Sequence, residues 1–287
     1  MEDLRVAAVI CRAPLGDIDG NLARMRRWIR AAADKGAALA CFPELNITGY
    51  AVSPEIRSAA IEIPGPVTDQ LLAWAGHHRL AILAGAAERV PDGRIHATHL
   101  AALPDGSLRI YRKLQIAPTE APVFSPGDDL SILRIGGTTV GIQLCYDAHF
   151  PELSTLMALR GADLILVPHA SPHGTAGGKR RSWERHLTAR AFDNGLYLIA
   201  VNLTGENGAG LAFPGTALAI GPDGRVLAAL SPPAGEEEMM VVDLSARDLD
   251  AVRGHRMRYF LPHRRPDLYE RLARELEAKD GKAEPTA

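Results

Sequence analysis

The sequence predicts an α/β protein in which two mixed β-sheets pack face to face with helices on their outer faces. Three observations lead there. Short apolar runs alternate with segments of helical periodicity, each such series ends in two runs joined by a Gly-containing turn, and the whole order occurs twice along the chain. Alternation of this kind marks parallel crossover units, and tight Asp-Gly turns mark antiparallel strands. Strands that are apolar on both faces must be covered on both sides, which leads to the layered packing.

The elements follow in order. Residues 4–11 are an apolar, β-rich run. Residues 21–35 place Leu22, Met25, Ile29 and Ala32 at helical spacing, with Gly36 positioned to stop the helix. Residues 37–42 form the next strand, which ends in Phe42-Pro43-Glu44. A helix over 67–79, with Leu71, Leu72 and Ala75 inward, feeds a strand over 80–85. Strands 96–103 and 107–112 flank Pro104-Asp105-Gly106-Ser107, a hairpin sequence, and the second ends at Lys113. Residues 115–129 carry three prolines and Gly127, so they form a loop, and this loop holds Glu120. The order then begins again: strand 139–144 ending at Cys145, helix 151–160, strand 163–168, helix 182–194 with Trp183, Leu187 and Ala191 on one face, and strand 196–202. A hairpin of 216–220 with 226–230 turns over Gly221-Pro222-Asp223-Gly224, and strand 239–244 closes the series. No linker separates the halves, so residues 1–270 read as one domain, followed by a charged tail over 271–287 that is expected to fray.

Composition narrows the function. The 287 residues are 47% hydrophobic and 23% charged, and 32 Lys+Arg against 34 Asp+Glu leave a net charge of −2. A surface that tracks nucleic-acid phosphates needs a basic excess, so nucleic acid is excluded as a first choice. No apolar run reaches the roughly 18 residues of a membrane span, and the N-terminus lacks the basic start of a secretory signal. Cys11, Cys41 and Cys145 are an odd number without metal-type spacing, which fits a reducing cytoplasm rather than a disulfide framework or a zinc site.

Glu44, Lys113 and Cys145 each stand where a strand ends, the place where α/β folds present side chains to clefts. Singly, each has an ordinary reading: a helix cap or rim charge, a surface charge, and a small buried hydrophobe, the reading that also suits Cys11 and Cys41. Together they form a set. A thiol has an ordinary pKa of about 8.5 and needs a base to remove its proton or a cation to hold the thiolate. Glu44 could supply the first and Lys113 the second.

At these residues the sequence resembles the nitrilase superfamily, the carbon–nitrogen hydrolases. Cys41-Phe42-Pro43-Glu44-Leu45 with Thr48-Gly49-Tyr50 is similar to that family's first motif, Tyr111-Arg112-Lys113 to its second, and Gly141-Ile142-Gln143-Leu144-Cys145-Tyr146-Asp147 with Phe150-Pro151-Glu152 to its third. The loop from Glu120 to Phe124, Pro126, Gly127 and Asp128 matches the spacing of a second family glutamate. Similarity continues through Arg190-Ala191, Asp193-Asn194-Gly195 and Arg264-Arg265-Pro266-Asp267-Leu268-Tyr269, so it spans residues 4–270.

The resemblance implies a four-layer α-β-β-α sandwich with two mixed β-sheets, a Glu-Lys-Cys triad, and no metal or organic cofactor. It makes Cys145 the nucleophile, Glu44 the general base and then acid, and Lys113 the stabiliser of the tetrahedral oxyanion. The Tyr146 backbone N–H becomes a second oxyanion donor, and Glu120 orients Lys113 or the substrate nitrogen. The implied reaction is hydrolysis of a small amide through a thioester, releasing ammonia or an amine, by a homodimer or larger homo-oligomer. Gln115 departs from the histidine that many members carry two residues after the lysine. Tyr146-Asp147 stands where true nitrilases have Trp-Glu, which favours amides over nitriles. Ala148-His149 stands where D-carbamoylases have paired arginines that grip a substrate carboxylate, which disfavours N-carbamoyl amino acids; the runner-up within the same chemistry is hydrolysis of an N-carbamoyl amine or of a nitrile. His149 has two readings, a substrate contact or a helix-entry surface residue. His169 and His173 have metal-like spacing, but Pro172 and Gly174 break any helix between them, so His169 reads as lining the pocket. Residues 205–210 read as a loop near the site, and the arginines of 253–265 as subunit contacts or carboxylate partners. A non-catalytic scaffold of the same fold and a metal-dependent hydrolase are the readings from other classes.

Overall fold

The structure, a computed structural model, describes residues 1–280. In chain order its first half contains β1 (Leu4–Ile10), α1 (Ile18–Asp34), β2 (Leu39–Cys41), α2 (Ile56–Ala59), α3 (Pro66–His78), β3 (Ala81–Arg89), β4 (Ile95–Ala102) and β5 (Leu108–Arg112). The second half contains β6 (Ile132–Ile135), β7 (Thr138–Ile142), α4 (Pro151–Leu159), β8 (Leu164–His169), α5 (Ala176–Asn194), β9 (Tyr197–Asn202), β10 (Gly205–Glu206), β11 (Ala212–Phe213), β12 (Ala217–Ile220) and β13 (Val226–Leu230). The chain continues through β14 (Glu238–Leu244), α6 (Ala246–Arg253) and α7 (Pro266–Asp280).

Two six-stranded sheets result, in the orders β14-β1-β2-β3-β4-β5 and β13-β12-β9-β8-β7-β6. In each, the middle strands are parallel and the outer ones antiparallel: β1, β2 and β3 in one, β7, β8 and β9 in the other. The period-2 alternation of strand side chains builds the layers. Val6, Ala8 and Ile10 of β1 join Leu164, Leu166, Tyr197 and Ile199 in the core between the sheets. Ala7 and Val9 turn outward to meet Leu22, Met25 and Ile29 of α1 and Leu71 and Ala75 of α3. On the opposite side Met157 of α4 and Trp183, Leu187 and Ala191 of α5 cover the second sheet. Each large aliphatic side chain so buried contributes about 1.5–3 kcal/mol, which holds four layers together without a disulfide.

Helix ends follow their local chemistry. The Asp17 side chain caps α1 by accepting from Gly20 N–H at 3.2 Å, and Gly36 takes the left-handed conformation (φ 71°) beyond its end. Several expectations are corrected. β6 is a strand in the stretch between 129 and 139, to which the sequence pattern assigns no element. β3 runs on to Arg89, and α5 starts at Ala176 rather than 182. Of residues 205–210, expected as a loop, Gly205 and Glu206 pair with β11 in a two-stranded ribbon, and 207–210 lie in the loop that joins the two strands, where Asn207 donates from Nδ2 to the Tyr50 carbonyl at 2.8 Å. Residues 271–280, expected as part of a fraying tail, belong to α7, while 281–287 lie outside the described residues.

Candidate active site

Glu44 is set by a loop that continues β2 alongside β3. Phe42 N–H donates to the Leu83 carbonyl and Ile47 N–H to the Gly85 carbonyl, both at 2.9 Å. Between them the loop leaves strand pairing, and side chains take over: Asn46 Oδ1 accepts from Gly85 N–H at 2.8 Å and Thr48 Oγ1 from Ala87 N–H at 3.0 Å. Leu45 adopts φ 54°, and the loop lies so close to Gly85 that a Cβ there would sit 2.3 Å from Leu45 N. Only glycine fits.

Lys113 extends β5 by one residue, its N–H donating to the Ala97 carbonyl at 2.9 Å. The loop carrying Glu120 forms a helical turn, with Phe124 N–H on the Glu120 carbonyl at 2.9 Å, and Glu120 Oε2 accepts from Ala117 N–H at 3.1 Å. Cys145 follows β7 after Gln143, whose N–H still pairs with the Leu166 carbonyl of β8. It opens a 3₁₀ turn over Cys145–His149 with φ 43°, a left-handed conformation that costs a non-glycine residue about 1–2 kcal/mol. Backbone strain of this kind is common at functional positions.

The charged groups converge. Lys113 Nζ donates to Glu44 Oε1 at 2.8 Å and to Glu120 at 2.9 Å (Oε1) and 2.8 Å (Oε2). The Tyr50 hydroxyl donates to Glu120 Oε1 at 3.0 Å, and Ala170 N–H donates to Glu44 Oε2 at 3.0 Å. Lys113, Glu44 and Glu120 are 0%, 1% and 3% exposed. Drying two carboxylates and an ammonium costs several kcal/mol per ion, and a buried apolar cluster would serve stability as well or better, so the trio points to chemistry.

Burial raises the Glu44 carboxyl to about 7, against the pull of the Lys113 charge and with Glu120 pushing the same way. For Lys113, burial acts downward, but Glu44, Cys145 and Glu120 outweigh it and hold the ammonium above its ordinary value. Burial and then the Glu44 charge push the Cys145 thiol well up, while Lys113 pulls it down. Cys145 is therefore held as a thiol, and Glu44 as a carboxyl poised near neutrality.

Asp147, two residues past Cys145, has a role that sequence reading missed. Its carboxylate accepts from Leu144 N–H (2.8 Å), from the Tyr111 hydroxyl (2.8 Å) and from Gln115 N–H (2.7 Å). It thus ties the Cys145 turn to both sides of Lys113. The Gln115 bond is made by backbone, so the departure from histidine leaves it intact. Tyr50 was visible as part of a motif but had no assigned role.

The remaining candidates are placed less centrally. The Tyr146 ring packs on Phe150 and His149, with centroids at 5.4 and 5.7 Å. His149 is exposed and stacks on His186 of α5 at 4.5 Å, the helix-entry position. His169 is buried, with Nδ1 against the Val167 carbonyl at 2.8 Å and its ring 4.2 Å from Trp183, and burial lowers it well below the ordinary histidine range. It directly precedes Ala170, the residue that holds Glu44. Of the 253–265 arginines, Arg253 pairs with Asp163 at 2.7 Å, as a carboxylate partner should.

The sequence profile described as Carbon-nitrogen hydrolase matches residues 5–254. An (R)-stereoselective amidase of Pseudomonas sp is 33% identical over 258 residues, covering 87% of each chain. A nitrilase of Pyrococcus abyssi is 31% identical over 261 residues, 88% of this chain and 93% of that one. A mutant amidase from Nesterenkonia sp. AN1, solved with the acetamide moiety of fluoroacetamide added covalently at its active site cysteine, superposes with a TM-score of 0.80 at 29% identity, over 94% of this chain and 97% of that one.

Proposed function

Because this chain belongs to the carbon–nitrogen hydrolase family, whose reaction is cleavage of C–N bonds at an active-site cysteine, we propose that Cys145, Glu44, Lys113 and Glu120 carry that reaction on a small amide. The observation that carries the assignment is the dry Lys113 ammonium held between Glu44 and Glu120 at the strand ends beside the strained Cys145 turn. Glu44 takes the thiol proton as Sγ attacks the amide carbon. The oxyanion settles between the Lys113 ammonium and the Tyr146 N–H. Glu44 returns the proton to the leaving nitrogen, ammonia or an amine departs, and a thioester remains. Water activated by Glu44 then attacks the thioester, releasing the acid and restoring the thiol.

Tyr146-Asp147 after the nucleophile supports amides over nitriles, as do the amidases among the relatives. His149 and His169 are proposed to line the substrate's approach, His169 through its place next to Ala170. Residues 1–270 are proposed to act as one hydrolase domain in a homodimer or larger assembly, a reading supported by exposed Leu156 and Leu159 on α4 and Phe192 on α5. Three unpaired cysteines suit a cytoplasmic setting, and no helix among the described residues is long and apolar enough to cross a membrane.

The test is ammonia release from aliphatic amides, ω-amides, N-carbamoyl amines and nitriles, with a chelator present, by wild type and Cys145→Ala. Release from amides by wild type, with only background release by a folded Cys145→Ala protein, is the expected result. Undiminished activity of that variant would overturn the assignment of the nucleophile, and release from nitriles or N-carbamoyl amines alone would replace the substrate class.

A further inference from the structure

Lys179 is a second ammonium at this site, in the first turn of α5, and the reaction as described does not use it. Its Nζ donates to Ser171 Oγ and, at 3.0 Å, to the Pro172 carbonyl. Ser171 directly follows Ala170, whose N–H holds Glu44, so the anchor of Lys179 adjoins that of the proposed general base. The anchor is itself fixed: Asn202 accepts from Ser171 N–H at 2.9 Å and donates to the Ser171 carbonyl at 3.1 Å. Lys179 therefore has a defined position.

Its charge has no counterpart. Both acceptors are neutral, and two bonds leave one of three N–H groups over. The nearby Glu184 pairs instead with Arg180 at 2.7 Å, and no carboxylate among the described residues pairs with Lys179. The helix setting adds to the imbalance, because Lys179, Arg180 and Arg181 occupy the start of α5 with no acid in its first turn, where the macrodipole disfavours cations. Half-burial lowers the Lys179 ammonium, while the Cys145 charge raises it, and Lys179 in turn favours the Cys145 thiolate. The two groups are within electrostatic reach of one another.

Resting on the reading of Cys145 as nucleophile, we infer that Lys179 forms an anion subsite beside Cys145 and that the preferred substrate is a small amide bearing a carboxylate. The substrate supplies the counter-charge that the protein withholds, and the free N–H of Lys179 meets it. A neutral amide leaves that ammonium half-desolvated and unpaired, and binds more weakly.

Two alkylating reagents of nearly the same shape test this on the intact protein: iodoacetate, which is anionic, and iodoacetamide, which is neutral. The Cys145 thiolate attacks the methylene carbon of either reagent and displaces iodide, so the ratio of their rates cancels any change in thiolate fraction. The ratio is expected to fall about tenfold in Lys179→Met, to persist in Lys179→Arg, and in wild type to shrink in high salt. A second arm compares a carboxylate-ended primary amide with its methyl-ended isostere, and Lys179→Met is expected to erase the preference for the first mainly through KM. If Lys179 only straps its loop, both reagents slow equally and the ratio stays put, which overturns the inference. If neither reagent labels Cys145 in wild type, the reading of the nucleophile fails, and the subsite with it.

Discussion

Lys113 keeps its proton in a dry interior because carboxylate oxygens of Glu44 and Glu120 surround its Nζ at 2.8–2.9 Å. The same crowding sets Glu44. With its carboxyl raised to about 7, the basic form grows as pH rises through neutrality, so kcat/KM should climb along an acid limb near 7. Glu120 is one of the groups that raise Glu44, so Glu120→Gln should move that limb to lower pH while reducing kcat through loss of an ion-pair partner of Lys113. A pH profile of kcat/KM for both proteins checks the direction, and a limb that moves upward would contradict the electrostatics. Glu44, Lys113, Glu120 and Cys145 were legible in the sequence because strand ends and motif spacing mark them. Asp147 and Tyr50 were not legible as bonding partners, because they meet Tyr111 and Glu120 across 36 and 70 residues of chain. Only the folded sheets bring those pairs together.

At the scale of elements, the geometry of Glu44 depends on β3 as much as on β2. Gly85→Ala would place a Cβ 2.3 Å from Leu45 N and 3.1 Å from the Glu44 carbonyl carbon. The loop must then rise off β3, carrying Glu44 away from Lys113. A loss of about 1–3 kcal/mol in stability, with a fall in kcat larger than the fall in folded fraction, is expected from urea unfolding and ammonia-release assays. An unchanged kcat would show that the loop tolerates the shift. The sequence marked most elements by period alone. It missed β6 because Ile132–Ile135 is short and follows a Pro- and Gly-bearing loop, and it cut β3 at Gly85 because the following Ala86, Ala87 and Glu88 have low strand propensity. Gly177 and Gly178 likewise hide the first turn of α5, which Thr175 caps by accepting from Gly178 N–H at 3.1 Å.

At the scale of the molecule, the last strand closes the first sheet. β14 pairs antiparallel with β1 along seven positions, from Leu4↔Leu244 to Ile10↔Glu238. A chain ending at Gly235 would leave β1 an unpaired edge, apolar but for Arg5, and size-exclusion chromatography should show it aggregated. A monodisperse and active truncated protein would argue against that role for β14. The arrangement also has a formal side. Read from β14 to β5 and from β6 to β13, the two sheets have the same sequence of antiparallel and parallel pairings. β2 and β8 hold corresponding places, and the segments leaving them meet where Ala170 N–H donates to Glu44. Permuting β14 to the front would make the chain one plan written twice. The two copies are not equivalent in what they deliver, however: the first brings Glu44 and Lys113, the second brings Cys145, and Glu120 comes from the connection between them. The proposed reaction centre is thus an unequal set of groups at the crossing of two like halves, and neither half holds a complete one.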